Sequence, residues 1–591
     1  MTTNIGSASG TGAIEATKAL DGFAPFAEAT LKDWTVPGAA VVVVKDGAIV
    51  FSHGFGLRDV ARGLAVTPHT VFPIASSTKA FTTMALAILA DEGVLDWDTP
   101  VRAYLPSFML YDTVASERMT PRDLVTHRSG LPGHDLLLVN LPFSRREIVE
   151  RLEYLQPSQD FRAAWQYQNL TYITAGYLIE HVTGHTWEEF VTERIFQPLG
   201  MERSTLSIES LTRLSDYALP YQKGDGRAEE IPFRNLDALG AAGSINSTIG
   251  DMTRWLLPHL GVGRYGGRRI VSAGQLAQLH APQMVMENGD KLSTLYKEAP
   301  HSSYGMGWFV QPYRGYDMVH HGGNIDGFSA MVAFLPRESI GVVVLSNLSD
   351  NPTPMILALN VFDRLLGLDQ VPWNERAREM DARLSDAAEK GREQRAADQV
   401  GGTGMSHDLD AYVGDYEHPG YGIMSIAREG VALKATYNGL DFALQHYHYD
   451  VFELVTDLFV IPPRVLFSTN RAGDIDGISA PLEPTVPDIV FRRRPPAELL
   501  TKAALARFTG DYALMGMPVA VSLKEETTLV VSLPGQPDYE LTPYKGMRFE
   551  AKGFSGFSVT FKSADSDDAG AVTEALITQQ NGVFTAKRRY P

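Results

Sequence analysis

Three shortages bound what this chain can be. It contains no cysteine, which excludes a disulfide framework, a thiolate metal site and a cysteine nucleophile. It has no run of roughly 20 apolar residues, the length a membrane-spanning helix needs, so no membrane partner is expected. It is short of positive charge: 52 Lys and Arg stand against 70 Asp and Glu, a formal charge of −18. A chain with that balance is not built to grip nucleic-acid phosphates, and the excess acid reads as a solvated, solubilising surface. The first twenty residues have neither a basic start nor a continuous apolar core, so no secretory signal is expected and the location reads as cytoplasmic. No H-E-x-x-H or comparable ligand spacing occurs, so neither a metal nor another cofactor is called for.

What is present is length and apolar content. At 591 residues and 44% hydrophobic, the chain can bury several cores, and two to four domains are expected. Residues 1–12 read as a loose Gly/Ser/Thr tail and Ile14 to Leu31 as helical. Ala40 to Val44 and Ala48 to Phe51 flank Lys45-Asp46-Gly47 as a hairpin. A second hairpin, Ser329 to Leu335 with Ile340 to Leu345, follows nearly 300 residues later. One antiparallel sheet built from both ends of a domain explains the pair, with helices and loops between. An α/β domain with a helical insertion is therefore expected over 13–370.

Thirteen of the thirty residues in 371–400 are charged, about twice the chain average of 21%, and 371–405 reads as a solvated helical linker without chemistry. Beyond it, Leu409 to Tyr416 (LDAYVGDY) returns as Leu505 to Tyr512 (LARFTGDY), offset by 96. Each copy continues in short alternating strands and closes on a basic strand, Val490 to Arg494 and Val583 to Arg589. Two small antiparallel β-barrel domains are expected, over 406–496 and 497–591.

The strongest local chemistry is Ser76-Ser77-Thr78-Lys79 followed by an apolar helical run. If Ser76 opens that helix, Lys79 lies one turn on along the same face. A desolvated lysine loses proton affinity and can take the serine proton, and a helix N-terminus favours charge developing on the oxygen. Tyr167-Gln168-Asn169 offers a proton-relaying phenol and an amide that can hold substrate. His321-Gly322-Gly323 offers a backbone edge that can approach a ligand closely and complete an oxyanion hole. His127, Ser129 and Asp123 invite a Ser-His-Asp reading, but they crowd into seven residues and no G-x-S-x-G elbow accompanies them.

S-x-x-K, Y-x-N and H-x-G in this order resemble the serine β-lactamase-like, penicillin-recognising hydrolases. The likeness is to the branch with class C β-lactamases, D-alanyl-D-alanine carboxypeptidases, family VIII esterases and D-aminopeptidases. Thr126 to Pro132 (THRSGLP), Val182-Thr183-Gly184, Pro198 to Met201, Gly243 to Trp255 and Tyr304 to Trp308 extend it over most of 20–350. The resemblance implies an antiparallel sheet with flanking helices and a helical subdomain. It implies Ser76 as acylated nucleophile, Lys79 and Tyr167 sharing the proton work, and Asn169 orienting substrate. His321 stands where relatives carry the lysine of K-T-G, and Gly327-Phe328 sets the register on His321 rather than His320, which reads as facing away. The oxyanion hole would use the backbone N–H of Ser76 and of Asn324, beside Gly323.

A histidine is largely neutral at pH 7, which weakens the readings that need a cation for a substrate carboxylate. Resemblance to D-aminopeptidases, which carry two C-terminal barrels, implies a peptidase or amidase on small peptides or amino-acid amides, D or otherwise unusual residues included, with a barrel loop able to reach the site. A family VIII carboxylesterase and a non-catalytic scaffold are the alternatives. For the barrels, the alternative is scaffolding or homo-oligomer contact.

Overall fold

The computed structural model describes residues 11–287, 295–296, 299–456, 461–495, 497–554, 556–563 and 571–589. They form two compact units: the chain up to Asp398 together with Leu482–Asp488, and the remainder from Gln399.

Among the described residues, nine strands build the sheet of the first unit: β1 (Gly38–Lys45), β2 (Ala48–Asp59), β3 (Leu64–Ala65), β4 (Met284–Met286), β5 (Ser302–Tyr304), β6 (Phe309–Tyr313), β7 (Tyr316–Ile325), β8 (Phe328–Leu335) and β9 (Ile340–Ser346). Their order is β4-β5-β6-β7-β8-β9-β1-β2-β3. The two hairpins expected from sequence therefore meet at the centre, where β1 and β9 pair antiparallel with Val41 opposite Val344. The run Ala39 to Val44 is buried on every residue, because both sheet faces are covered. Val41, Val43, Val342 and Val344 share a core with the helix Thr353–Leu365. On the other face the helix Ile249–Leu260 packs so closely that a Cβ at Gly341 would lie 2.3 Å from Leu256. A strand buried on both sides loses the polar alternation of a half-exposed one.

Two expectations change. The N-terminal helix is two, Thr11–Ala19 and Phe23–Asp33, broken at Gly22 with φ +80°. The expected tail 1–12 overlaps the first of them at Thr11, and residues 1–10 lie outside the described set. The charged segment is one long helix, Trp373–Ala397, and its first turns are not solvated. Asp363, fully buried, accepts from Tyr313 Oη at 2.6 Å, Arg314 Nη1 at 2.6 Å and Trp373 Nε1 at 2.9 Å. Trp34 Nε1 donates to Asn374 Oδ1 at 2.7 Å. The later, charged turns dominate the composition and hide the docked first turn.

In the second unit each barrel is a closed ring of eight antiparallel strands among the described residues, and the weak repeat marks the same closure in both. Tyr416 Oη donates to Tyr412 O at 2.8 Å, and Tyr512 Oη to Phe508 O at 2.9 Å. Arg493 donates to the carbonyls of Ala411, Ile475 and Val413 at 2.8, 3.0 and 2.5 Å. Arg588 does the same to Arg507, Val572 and Thr509 at 3.1, 3.2 and 2.5 Å. The glycine of each Gly-Asp-Tyr leaves room for this guanidinium: a Cβ at Gly414 would stand 3.2 Å from Arg493 Nε, and one at Gly510 3.3 Å from Arg588 Nε. The basic strand ends are thus internal clasps. Replacing Arg493 by Met strands three carbonyls, and we expect a loss of about 2–4 kcal/mol from the first barrel, read as a lowered barrel transition in calorimetry. Arg588→Met should lower the second barrel's transition.

Candidate active site

The position of Ser76 follows from a local conflict between burial and exposure. The short strand Phe72–Pro73 pairs with Asn246–Ser247, then Ala75 takes φ +47°, a left-handed conformation that an alanine adopts only under constraint. The turn Ala75–Thr78 runs directly into the helix Lys79–Asp91. From Val71 to Leu89 every residue is buried except Ser76. The apolar helix faces the core on all sides, and the strained turn presents one hydroxyl to the cleft.

Lys79 is fully buried. Its Nζ donates to Ser76 Oγ at 3.2 Å, Asn169 Oδ1 at 2.7 Å and Ala242 O at 3.0 Å. It also stands 4.7 Å from the Tyr167 ring centroid and 5.3 Å from that of Tyr172. Burial pulls its pKa down to about 7, against the opposing pull of the Asp135 charge. Once neutral, the amine keeps two protons for Asn169 and Ala242, and its lone pair faces the Ser76 hydroxyl. The arrangement is that of a base held on its target.

Tyr167 is hydrogen-bonded with Ser76, and burial raises its pKa well above the usual phenol despite that bond. It is therefore a proton donor rather than a phenolate base. His321 lies at the site, but its nitrogens are engaged inside the protein: Nδ1 meets Gly322 O at 2.6 Å and Nε2 meets Tyr304 Oη at 3.1 Å. A carbonyl can only accept, so Nδ1 carries the proton and Nε2 accepts from Tyr304. Burial, with the nearby Lys79 charge, pushes His321 down to about 3. It forms a neutral wall, as the sequence suggested, with no ring N–H left for a ligand. His320 borders the same cleft, where a face turned away was expected, with its ring stacked on Phe309 at 5.3 Å.

Gly323 explains itself sterically. A Cβ there would lie 2.0 Å from Ile74 O, so only glycine lets the edge of β7 close on the nucleophile turn, where Ser77 Oγ donates to His321 O at 3.2 Å. Asn324, next on that edge, is exposed to the cleft, its Oδ1 accepting from Ser329 Oγ at 2.7 Å. The Ser-His-Asp alternative does not assemble. Asp123 is ion-paired with Arg128 and Arg162 at 2.5 and 2.6 Å, and Ser129 Oγ accepts from Leu131 N. His127 Nδ1 accepts from Gln168 N at 3.0 Å with its ring 4.5 Å from Tyr167, so it braces the tyrosine instead.

Ser76, Tyr167, Asn169, His321 and Asn324 line one cleft of about 960 Å³, a size that admits a short peptide. Sequence reasoning missed Asp135, three residues past the Thr126–Pro132 segment. It lines the cleft, and Asn169 Nδ2 donates to its Oδ1 at 3.4 Å. It also missed Glu483, buried, which accepts from His134 N at 3.0 Å and carried no local signal. The lining also includes the apolar Trp34, Leu295, Met355 and, from the charged helix, Met380 and Leu384, beside Asp381. Leu295 comes from the stretch 284–303, part of which lies outside the described residues.

A family model described as Beta-lactamase matches residues 24–366, and a domain of unknown function, DUF3471, matches 398–493. An unguisins hydrolase of Aspergillus campestris is 30% identical over 424 residues, 68% of this chain and 77% of that protein. Protein flp of Staphylococcus aureus is 26% identical over 343 residues, 56% of this chain and 63% of that one. The octameric penicillin-binding protein homologue from Pyrococcus abyssi shares the fold at TM-score 0.52 and 21% identity, over 87% of this chain and 98% of its own.

Two measurements check this geometry. The His321 imidazole should show no protonation step between pH 5 and 8 by NMR. Gly323→Ala should slow fluorophosphonate labelling of Ser76 by about 10²–10³-fold, the usual effect of losing an oxyanion donor, with the circular dichroism spectrum unchanged.

Proposed function

The chain belongs to the beta-lactamase family of serine hydrolases, and from that premise we propose that it hydrolyses small peptides or amino-acid amides, including those of D or unusual residues, through an acyl-enzyme at Ser76. The observation that carries the reading is the Lys79 amine, dry, 3.2 Å from Ser76 Oγ and with a pKa drawn down to about 7. The named hydrolase among the relatives agrees with a hydrolytic reaction.

Neutral Lys79 takes the Ser76 proton as Oγ attacks the substrate carbonyl carbon. The backbone N–H groups of Ser76 and Asn324 hold the oxyanion. Tyr167 passes its proton to the leaving nitrogen and recovers one from the Lys79 ammonium, so the C–N bond breaks with a neutral amine departing. Water, deprotonated by the same pair, then attacks the ester carbon. Ser76 Oγ regains its proton, and the acid leaves. A neutral His321 offers no positive charge to a substrate carboxylate, which supports amides and small peptides over substrates defined by that carboxylate.

Turnover needs neutral Lys79, so kcat/KM on an N-acetylated substrate should rise with pH through about 7 and then level. A Lys79→Arg variant should lose about 10²–10⁴-fold, the usual worth of a positioned base. Ser76→Ala should abolish turnover, and acid-quenched wild type should carry the substrate acyl mass on the Ser76 peptide. Comparing kcat/KM on amino-acid anilides with p-nitrophenyl esters separates the substrate classes. Turnover of esters alone contradicts the amidase reading.

A further inference from the structure

The mechanism above uses none of the four carboxylates that line the cleft among the described residues, Asp135, Asp326, Asp350 and Asp381, and of these Asp135 is the one bonded to Asn169. Asp135 opens a short turn, Asp135–Leu138, after His134 at φ +48°. It is exposed to the cleft and makes no ion pair among the described residues. Through Asn169 and Lys79 it stands three hydrogen bonds from the nucleophile: Asp135 to Asn169 at 3.4 Å, Asn169 to Lys79 at 2.7 Å, Lys79 to Ser76 at 3.2 Å.

The cations that could answer it are absent or occupied. Arg234, the one Lys or Arg lining the cleft among the described residues apart from the catalytic lysine behind the wall, pairs with Asp326 at 3.1 Å. Behind Asp135 the local charge deepens rather than cancels. Glu483 is buried, with its oxygens held by His134 N, Thr485 N and Thr485 Oγ1. None of those donors is a cation.

We propose that Asp135 anchors the α-ammonium of the substrate, so that the cleft selects peptides and amino-acid amides with a free amino terminus. The inference rests on acylation at Ser76, because it places the ammonium beside the carbonyl that Ser76 attacks. An α-ammonium lies two bonds from that carbonyl carbon, and Ser76, Asn169 and Asp135 line the same cleft. Binding there also neutralises the Asp135 charge that holds Lys79 protonated, so the right substrate favours its own base. The α-amine titrates at about 7.7–8.0, and the anchored substrate must keep it charged.

The test is kcat/KM for alanine p-nitroanilide, in both enantiomers, against the N-acetylated compounds. The full chain should prefer the free amine by about 10–100-fold, the worth of one charge-assisted bond. In Asp135→Asn the preference should fall to within a few fold through KM, and Asp135→Glu should restore part of it. The alkaline limb of the free-amine profile should flatten in Asp135→Asn, which a merely structural change would not produce. Equal turnover of free and acetylated substrates by the wild type, or an equal loss of both in Asp135→Asn, overturns the anchor. Fluorophosphonate labelling of Ser76 separates the two readings. An unlabelled Ser76 counts against the acyl-enzyme, and calorimetric binding of alaninamide against N-acetylalaninamide then decides the anchor alone, with equal or no binding overturning it.

Discussion

The catalytic unit is organised around one expensive act, the burial of a lysine amine. Lys79 has no exposed surface and no carboxylate at its side; Ser76 Oγ, the Asn169 amide oxygen and the Ala242 carbonyl are its acceptors. An ammonium in such a place resists being charged. The fold converts that resistance into a base near neutral pH, at the one atom where a base is useful. The surroundings keep the lysine dry: the apolar helix it opens, the ring faces of Tyr167 and Tyr172, and the helix Leu170–Thr183 that begins beside Asn169.

The same burial sets the character of the neighbours. Tyr167 stays protonated and His321 stays neutral for the reason that Lys79 loses its proton, namely that charge is costly in this wall. Tyr304 Oη donates a hydrogen bond to His321 Nε2, and the Gly322 carbonyl accepts one from Nδ1–H. Among the described residues, charged side chains line the cleft at Asp135, Asp350 and Asp381 and at the paired Arg234 and Asp326. Under the proposed function, a dry neutral floor suits amide cleavage better than recognition of a substrate carboxylate.

Much of this was legible in the residues. The apolar runs Ala40–Val44 and Ile340–Leu345 announced a central sheet, and they pair there. The S-x-x-K spacing put Lys79 one turn from Ser76, and the hydrogen bond is there. The doublet Leu409–Tyr416 and Leu505–Tyr512 marked two barrels. What stayed hidden depends on partners distant in sequence. Asp135 is an ordinary acidic residue until Asn169 is known to face it, and Glu483 lies about 350 residues from the loop it supports. The first turn of the helix Trp373–Ala397 was lost in the composition of the turns that follow, although Trp373 and Asp363 fasten it. Arg493 read only as part of a basic strand end because three carbonyl acceptors cannot be seen in a sequence.

The central claim is that Lys79 is a neutral amine at working pH, and it can be observed without any substrate. Protein carrying lysine labelled with ¹³C at the ε carbon, with the resonance assigned by its disappearance in Lys79→Arg, reports the titration of that amine alone. The account predicts a midpoint at about 7, more than three units below an exposed lysine at about 10.4. A Lys79 resonance that remains that of an ammonium through pH 9 would contradict it.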